Sequence, residues 1–135
     1  MKLNPYLNFN GQCAEAFEFY RRVLGGEIMS KMTWGEMPDA QIPPALQSRV
    51  MHVSLQIGDV WLMGADSPPD RYEKPQGISV ALHYQKASEG DSIFNALAKD
   101  GNVIMPFQRT FWAAGFGMCV DRFDIPWLVN CERGA

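Results

Sequence analysis

Basic residues, long apolar runs and secretion signals are scarce in this sequence of 135 residues, and each scarcity excludes a class of protein. The chain has 12 Lys and Arg against 15 Asp and Glu, a net charge of −3, which argues against nucleic acid as the main partner. No apolar run approaches the roughly 18 residues that a membrane-spanning helix needs. Residues 1–5 turn polar at once and lack the apolar core of a signal peptide. We therefore expect neither a nucleic acid nor a membrane partner.

Cysteine and histidine are also rare. The three cysteines, Cys13, Cys119 and Cys131, form neither a CxxC pair nor an even set, which predicts reduced thiols in a cytoplasmic protein. The only two histidines are His52 and His83. An isolated histidine can act as an acid or a base near neutral pH, but no paired nucleophile accompanies either one.

The composition that remains is that of a globular protein, with 47% hydrophobic and 20% charged residues. Residues 110–130, TFWAAGFGMCVDRFDIPWLVN, concentrate aromatic side chains. Phe116, Met118 and Val120 alternate with smaller or polar residues, which predicts a strand with one buried face. A turn at 121–125 and a strand at 127–130, opened by Pro126, follow. Two such strands either line a pocket or fill a core.

The remaining elements fall into two similar series. The first series is a strand at 3–9 with Leu3, Pro5, Leu7 and Phe9 on one face, a helix at 11–24 capped by Asn10, and strands at 27–33, 50–57 and 60–65. Gly25-Gly26 ends the helix, and Gly58-Asp59 predicts a type II′ hairpin. Residues 34–47 form a long loop, of a kind that is usually functional or mobile. The second series is a strand at 78–84, a helix at 88–99 capped by Ser88 and ended by Gly101, and strands from 102 onwards.

The second series repeats the first at a displacement of about 75 residues, as Leu3 to Ile78 and Gly26 to Gly101 illustrate. We interpret the chain as a single domain, 1–135, built from two βαβββ modules at about 1–65 and 78–133 with a linker at 66–77. The predicted class is α+β, with each module curling a mixed four-stranded sheet.

Five motifs carry a family resemblance. They are PYLNFNGQCAEAFEFY (5–20), GEMP (35–38), MHVSLQIGD (51–59), LMGAD (62–66) and the aromatic segment 110–130. Together and in this order they resemble the vicinal oxygen chelate superfamily of glyoxalases, bleomycin-resistance proteins and dioxygenases, and within it the PhnB-like branch. The turn usually written DRFG ends here in Asp124, which can also adopt the left-handed conformation that such a turn requires.

The resemblance implies a cavity enclosed by the curved sheets and, in chelating members, four metal ligands on the first and last strands of the modules. Those four positions correspond to Pro5, Met63, Ser79 and Leu128. None is a normal ligand for a divalent ion, so we expect no metal and no cofactor. The expected wall of the cavity includes Met63, Trp112 and Phe116, with His52 as the main titratable group.

Each of these candidates also has a structural interpretation. His52 either contacts a ligand or is a half-buried histidine bonded to a neighbour, and His83 lies near a strand end. Trp112 and Phe116 either grip a planar ligand or fill the core, whereas Trp127 is expected in the core. In the long loop, Trp34 and Glu36 either cover the mouth of the cavity or stay on the surface.

The preferred hypothesis is a metal-independent protein that binds a small apolar or aromatic ligand, as the resemblance to bleomycin-resistance proteins implies, and that forms a homodimer. The alternative is a metal-dependent lyase or isomerase of the glyoxalase type. PhnB-like domains also carry the label 3-demethylubiquinone 3-methyltransferase. No Gly-rich turn between a strand and a helix of a parallel sheet supports that activity in this sequence.

Overall fold

Two mixed β-sheets, each with one helix on one face, make up the fold. The computed structural model describes residues 1–38 and 41–133, so residues 39 and 40 of the predicted loop lie outside the described part. The chain divides into two compact units, Met1–Glu73 and Lys74–Ala135. Each unit holds a four-stranded sheet in which one strand pair is parallel and the others are antiparallel. The predicted α+β class and the duplicated βαβββ order are confirmed.

The two units have the same element order. The first contains β1 (Tyr6–Phe9), α1 (Cys13–Leu24), β2 (Glu27–Thr33), β3 (Val50–Ile57) and β4 (Val60–Asp66). The second contains β5 (Val80–Tyr84), α2 (Ala87–Ala98), β6 (Asn102–Gln108), β7 (Ala113–Val120) and β8 (Pro126–Glu132). Their sheet orders, β1-β4-β3-β2 and β5-β8-β7-β6, are equivalent strand for strand. Both sheets are open, with β1 and β2 as the edge strands of one sheet and β5 and β6 as those of the other.

Two predicted turns have the expected backbone. Ile57 pairs with Val60 across Gly58-Asp59, and Gly58 has a φ of 57°. Among the non-glycine residues that the structure describes, only Asp100 and Asp124 have positive φ, so the hairpin fits type II′. Asp124 takes the left-handed conformation with a φ of 71°, as predicted for the turn before β8.

The predicted start of α1 is wrong. The helix begins at Cys13, and Asn10 does not cap it; the Asn10 side chain instead accepts a hydrogen bond from Arg49 at 3.2 Å. The buried carboxylate of Asp66 accepts hydrogen bonds from the backbone amides of Gly11 and Cys13 at 2.8 and 3.0 Å. Asp66 was predicted to belong to the linker, but it is the last residue of β4. A negative charge from a distant strand thus stabilises the N-terminus of this helix.

Both predicted ends of α2 also need correction. The helix starts at Ala87, so Ser88 lies inside the first turn. Lys86 occupies the N-cap position, and its side chain makes no capping hydrogen bond. At the other end, Asp100 takes the left-handed conformation, with a φ of 61°. Gly101 comes next and packs against the backbone at the end of β7 and the start of the following turn. A Cβ atom at this position would collide with the carbonyl oxygen of Val120.

The core of each unit lies between its helix and one face of its sheet, which we call the helix face. In the first unit, Phe17 of α1 packs on Gly64 of β4, where a Cβ atom would come within 2.7 Å of the phenyl ring. In the second unit, Phe94 of α2 packs on Gly117 of β7 in the same way. None of the helices in the described part of the chain is long and apolar enough to cross a lipid bilayer.

The predicted alternation in β7 is confirmed, and the buried side is the one that carries the small residues. Gly115, Gly117 and Cys119 are the buried residues, whereas Phe116 and Met118 are only half-buried. The small residues face the helix because Phe94 and Phe107 fill the space that their missing side chains leave. The larger side chains therefore lie on the other face of the sheet.

Candidate functional site

The face of each sheet opposite its own helix, here called the far face, carries most of the candidate residues. Strand register assigns its members, because cross-strand partners share a face. On the first sheet, Met63 pairs with both Tyr6 and Ser54, and His52 pairs with Met32. The buried residues Val53 and Leu55 alternate with this set and belong to the helix face.

The first far face contains a hydrogen-bonded pair of aromatic side chains, Tyr6 and His52. The Tyr6 hydroxyl lies 3.0 Å from Nδ1 of His52, and the two rings are tilted by 31° with centroids 5.7 Å apart. Tyr6 is 46% exposed. Burial raises the pKa of the Tyr6 phenol. Tyr6 therefore remains a protonated phenol at neutral pH.

Apolar and hydroxyl side chains surround this pair. Met63 lies on β4 between the strands that carry Tyr6 and His52, and Met32 lies beside His52 on β2. The hydroxyls of Ser30 and Ser54 bond to each other at 2.7 Å. The predicted candidates His52 and Met63 thus share one surface. Sequence reasoning did not include Tyr6, although the pattern that put Leu7 and Phe9 on one face placed Tyr6 on the other.

The second far face is apolar and partly aromatic. Phe116 and Met118 of β7 lie next to Asn130 and Leu128 of β8. Trp112 meets Phe116 edge-on with ring centroids 5.3 Å apart, so the structure brings this predicted pair together. Phe111 in turn packs against Trp112, with ring centroids 4.9 Å apart. Phe111 is 83% exposed and Trp112 is 48% exposed. Trp127 is fully buried on the helix face, as predicted.

The second histidine also lies on a far face. Nδ1 of His83 is 3.3 Å from Nδ2 of Asn130, its cross-strand partner. Oδ1 of Asn130 is buried and has no hydrogen-bond partner among the described residues. Sequence reasoning missed Asn130, because a single Asn at the end of an apolar strand gives no signal of its own.

Trp34 and Glu36 form a 3-10 turn directly after β2. The backbone amides of Trp34 and Gly35 donate to the carbonyls of Arg49 and Gln47 at 2.9 and 3.0 Å, which ties the two ends of the long loop together. Trp34 is half-buried and Glu36 is exposed. The turn begins two residues after Met32, the cross-strand partner of His52.

The cysteines offer no reactive thiolate. All three are free and buried. Burial raises the pKa of Cys119 to about 11, with a further contribution from Asp121. Burial also raises the pKa of Cys13, where Asp66 adds to the effect, and that of Cys131. A thiol in such surroundings stays protonated and acts as a small apolar side chain.

The residues present do not fit a divalent metal. In the described ranges 1–38 and 41–133, no three His, Cys, Asp or Glu side chains cluster closely enough to hold an ion. On β1 the residue that faces away from the helix is Tyr6 and not Pro5, because Pro5 precedes the helix-facing Leu7 by two residues and would share its face. Neither the phenol of Tyr6 nor the thioether of Met63 is a usual ligand for a divalent ion.

Comparison with a known structure identifies the fold. FosX, the fosfomycin resistance protein from Listeria monocytogenes, superposes with a TM-score of 0.66 over 98% of this chain and 93% of its own, at 10% identity. At that identity the likeness concerns the fold alone. This fold, with its two mixed four-stranded sheets and two helices, is the one that the resemblance to the vicinal oxygen chelate superfamily implied, and the predicted fold is confirmed.

The particular family follows from closer matches. A family model described as 3-demethylubiquinone-9 3-methyltransferase matches residues 1–130, and the chain belongs to this family. Protein YjdN from Escherichia coli strain K12 is 35% identical over 98% of this chain and 97% of its own length. Protein PA1353 from Pseudomonas aeruginosa is 41% identical, with a TM-score of 0.91 over 99% of both chains. The PhnB protein from Bacillus cereus, at 23% identity, has a TM-score of 0.82 over 98% of this chain and 100% of its own.

Proposed function

We propose that this protein binds a small, largely apolar or aromatic molecule without a metal ion, and that the far face of the first sheet is a binding surface. The observation that carries the proposal is the grouping of Met32 and Met63 around the hydrogen-bonded pair Tyr6 and His52. Ligand sites typically combine apolar contact area with a few placed polar groups. Methionine side chains adapt to irregular apolar shapes, which suits such a surface.

The second far face supports the same proposal separately. Trp112 is half exposed and meets Phe116 edge-on, so the pair offers aromatic area to a planar ligand. Phe116 and Trp112 are therefore proposed as ligand contacts of the second unit, in addition to His52 and Met63 of the first. Trp34 and Glu36 are proposed to close over the first far face, since their turn starts two residues from Met32.

A screen of small aromatic fragments tests this function. Binding to ¹⁵N-labelled protein is expected to shift the amide resonances of β3 and β4 around His52 and Met63. Met63→Lys should weaken the hits at least about tenfold, because it places a charge on the apolar surface. Val60→Lys changes an exposed valine of the same strand at the hairpin, and it should leave binding unchanged. A screen without any hit on either far face would disprove the proposal.

The same screen, repeated after dialysis against EDTA, separates the two leading functions. Binding should be unaffected by the chelator, and Zn²⁺, Ni²⁺, Mn²⁺ or Fe²⁺ should not raise the melting temperature at stoichiometric amounts. The physical reason is that the residues in the described part of the chain provide no suitable donor set for these ions. A stoichiometric metal that stabilises the protein and gives glyoxalase-type turnover would instead favour the metal-dependent lyase.

We also propose a homodimer. Edge strand β6 exposes Val103, Ile104 and Met105, and edge strand β2 exposes Met29 and Met32. Exposed apolar edge strands favour pairing with another chain. Light scattering at micromolar concentration should give twice the 15.2 kDa of one chain. Ile104→Lys should shift the mass towards the monomer, and a monomeric wild-type protein would contradict the proposal.

A further inference from the structure

We infer that Tyr6 holds neutral His52 in the tautomer with its proton on Nε2, so that the first far face selects ligands in which an acceptor oxygen adjoins an apolar ring. The acceptor is an uncharged oxygen, such as that of a carbonyl group, which receives the hydrogen bond of the Nε2–H group. This inference rests on the proposed function, because it specifies the ligand class for the same surface. His52 is the ligand-contacting residue, and Tyr6 is a positioning residue.

The direction of the bond between Tyr6 and His52 determines the tautomer. At 3.0 Å between the hydroxyl oxygen and Nδ1, either group could donate. A phenol is the stronger donor, and an unprotonated imidazole nitrogen is the stronger acceptor, since the lone pairs of a phenol oxygen are delocalised into its ring. The raised pKa of Tyr6 keeps the phenol proton in place. Tyr6 therefore donates to Nδ1, and the single proton of the neutral imidazole is on Nε2.

The Nε2–H group is then left as a donor. Within the described residues, the hydrogen bond of His52 is the one at Nδ1. An imidazole N–H without a protein partner must bond to water or to a ligand, and a ligand that covers the surface with an apolar group displaces that water. Such a ligand has to supply an acceptor of its own, or it leaves the donor unsatisfied, which weakens binding.

The side chains around His52 favour an acceptor with little or no charge. On β2 the neighbours on the far face are Met32 and Ser30, on β4 Met63 lies opposite Ser54, two residues along β3 from His52, and on β1 the contact is Tyr6. None of these groups is charged at neutral pH. The hydroxyls of Ser30 and Ser54 share one 2.7 Å hydrogen bond, which uses the proton of one of them. His52 is thus one of the donors available to a ligand on this surface, together with the side-chain amide of Asn8, which lies on the same side of β1 as Tyr6.

The tautomer can be measured directly, because the protein has only two histidines. Two-bond ¹H–¹⁵N correlation spectra above pH 8 should show His52 with its proton on Nε2 alone. In Tyr6→Phe, a fraction of His52 should carry the proton on Nδ1, whereas the His83 signals should not change. Wild-type His52 protonated on Nδ1, or a Tyr6→Phe spectrum identical to that of the wild type, would overturn the inference whether or not any ligand binds.

The ligand class is tested with acetophenone and α-methylstyrene, which differ by a carbonyl oxygen in place of a methylene group. The wild type should bind the ketone about 3- to 10-fold more tightly, the value of one hydrogen bond. His52→Gln, which keeps an N–H donor near the Nε2 position, should retain much of this preference. His52→Leu should lose it while still binding both compounds, and Tyr6→Phe should reduce it.

The outcomes distinguish this inference from the proposed function. Equal affinity of the wild type for the two probes would disprove the acceptor requirement but leave small-molecule binding intact. If neither probe binds while other aromatic fragments still shift the β3 resonances, the ligand class is also wrong. If no aromatic fragment binds either far face, the proposed function itself fails and the ligand class fails with it.

Discussion

Asp121→Ala is expected to lower the free energy of unfolding by about 3–5 kcal/mol. The Asp121 side chain is only 2% exposed. Its Oδ1 accepts hydrogen bonds from the amides of Phe123 and Ile125 at 2.8 and 3.0 Å, and its Oδ2 accepts one from Nε1 of Trp127 at 2.8 Å. Alanine would leave three buried donors without this acceptor, and each such loss costs about 1–3 kcal/mol before relaxation.

Denaturant unfolding of four further variants, Asp121→Asn, Trp127→Phe, the combination of the two and Asp124→Asn, tests the assignment. Asp121→Asn keeps one carbonyl oxygen but turns an amide group towards the indole N–H, so its loss should be intermediate. Combining it with Trp127→Phe should give less than the sum of the single effects, because the clash then disappears. Asp124→Asn is the matched control, since Asn tolerates positive φ and Asp124 makes only a partly exposed ion pair with Lys74. A loss below about 1 kcal/mol for Asp121→Ala would refute the role.

Asp66→Ala should have a similar effect, again about 3–5 kcal/mol. The Asp66 side chain is 4% exposed. In addition to the amides of Gly11 and Cys13, it accepts a hydrogen bond from the amide of Val50 at 2.8 Å. One carboxylate therefore joins the end of β4 to the start of α1 and the start of β3. Its negative charge also interacts favourably with the N-terminus of α1.

Hydrogen exchange gives a local measurement of the same effect. In Asp66→Ala the amides of Gly11, Cys13 and Val50 should lose protection by more than the global change in stability accounts for. Asp70→Ala, which removes an exposed carboxylate four residues further along, should be within about 0.5 kcal/mol of the wild type. Unchanged protection of the three amides in Asp66→Ala would show that the carboxylate does not hold this junction.

Part of the candidate site could be predicted from the sequence, and part could not. His52 and Met63 were predicted on the basis of the family motifs, and the structure places them on one face. Trp112 and Phe116 were predicted for their aromatic character, and they are in contact. Tyr6 is 46 residues from His52 in the chain, and their bond depends on the order in which β1, β4 and β3 lie in the sheet. Local sequence patterns do not determine that order.

The sequence by itself determined the elements and their repetition, because hydrophobic period, glycine and turn residues act over a few positions. It determined the type II′ hairpin at Gly58 and the left-handed turn residue Asp124. Only the tertiary structure decided what stabilises the start of α1 and which side of β7 is buried. Asp66 reaches the helix from a strand more than 50 residues away. Gly117 faces the core because Phe94 of the helix fills the space beside it, so packing overrides the local preference to bury the larger side chains.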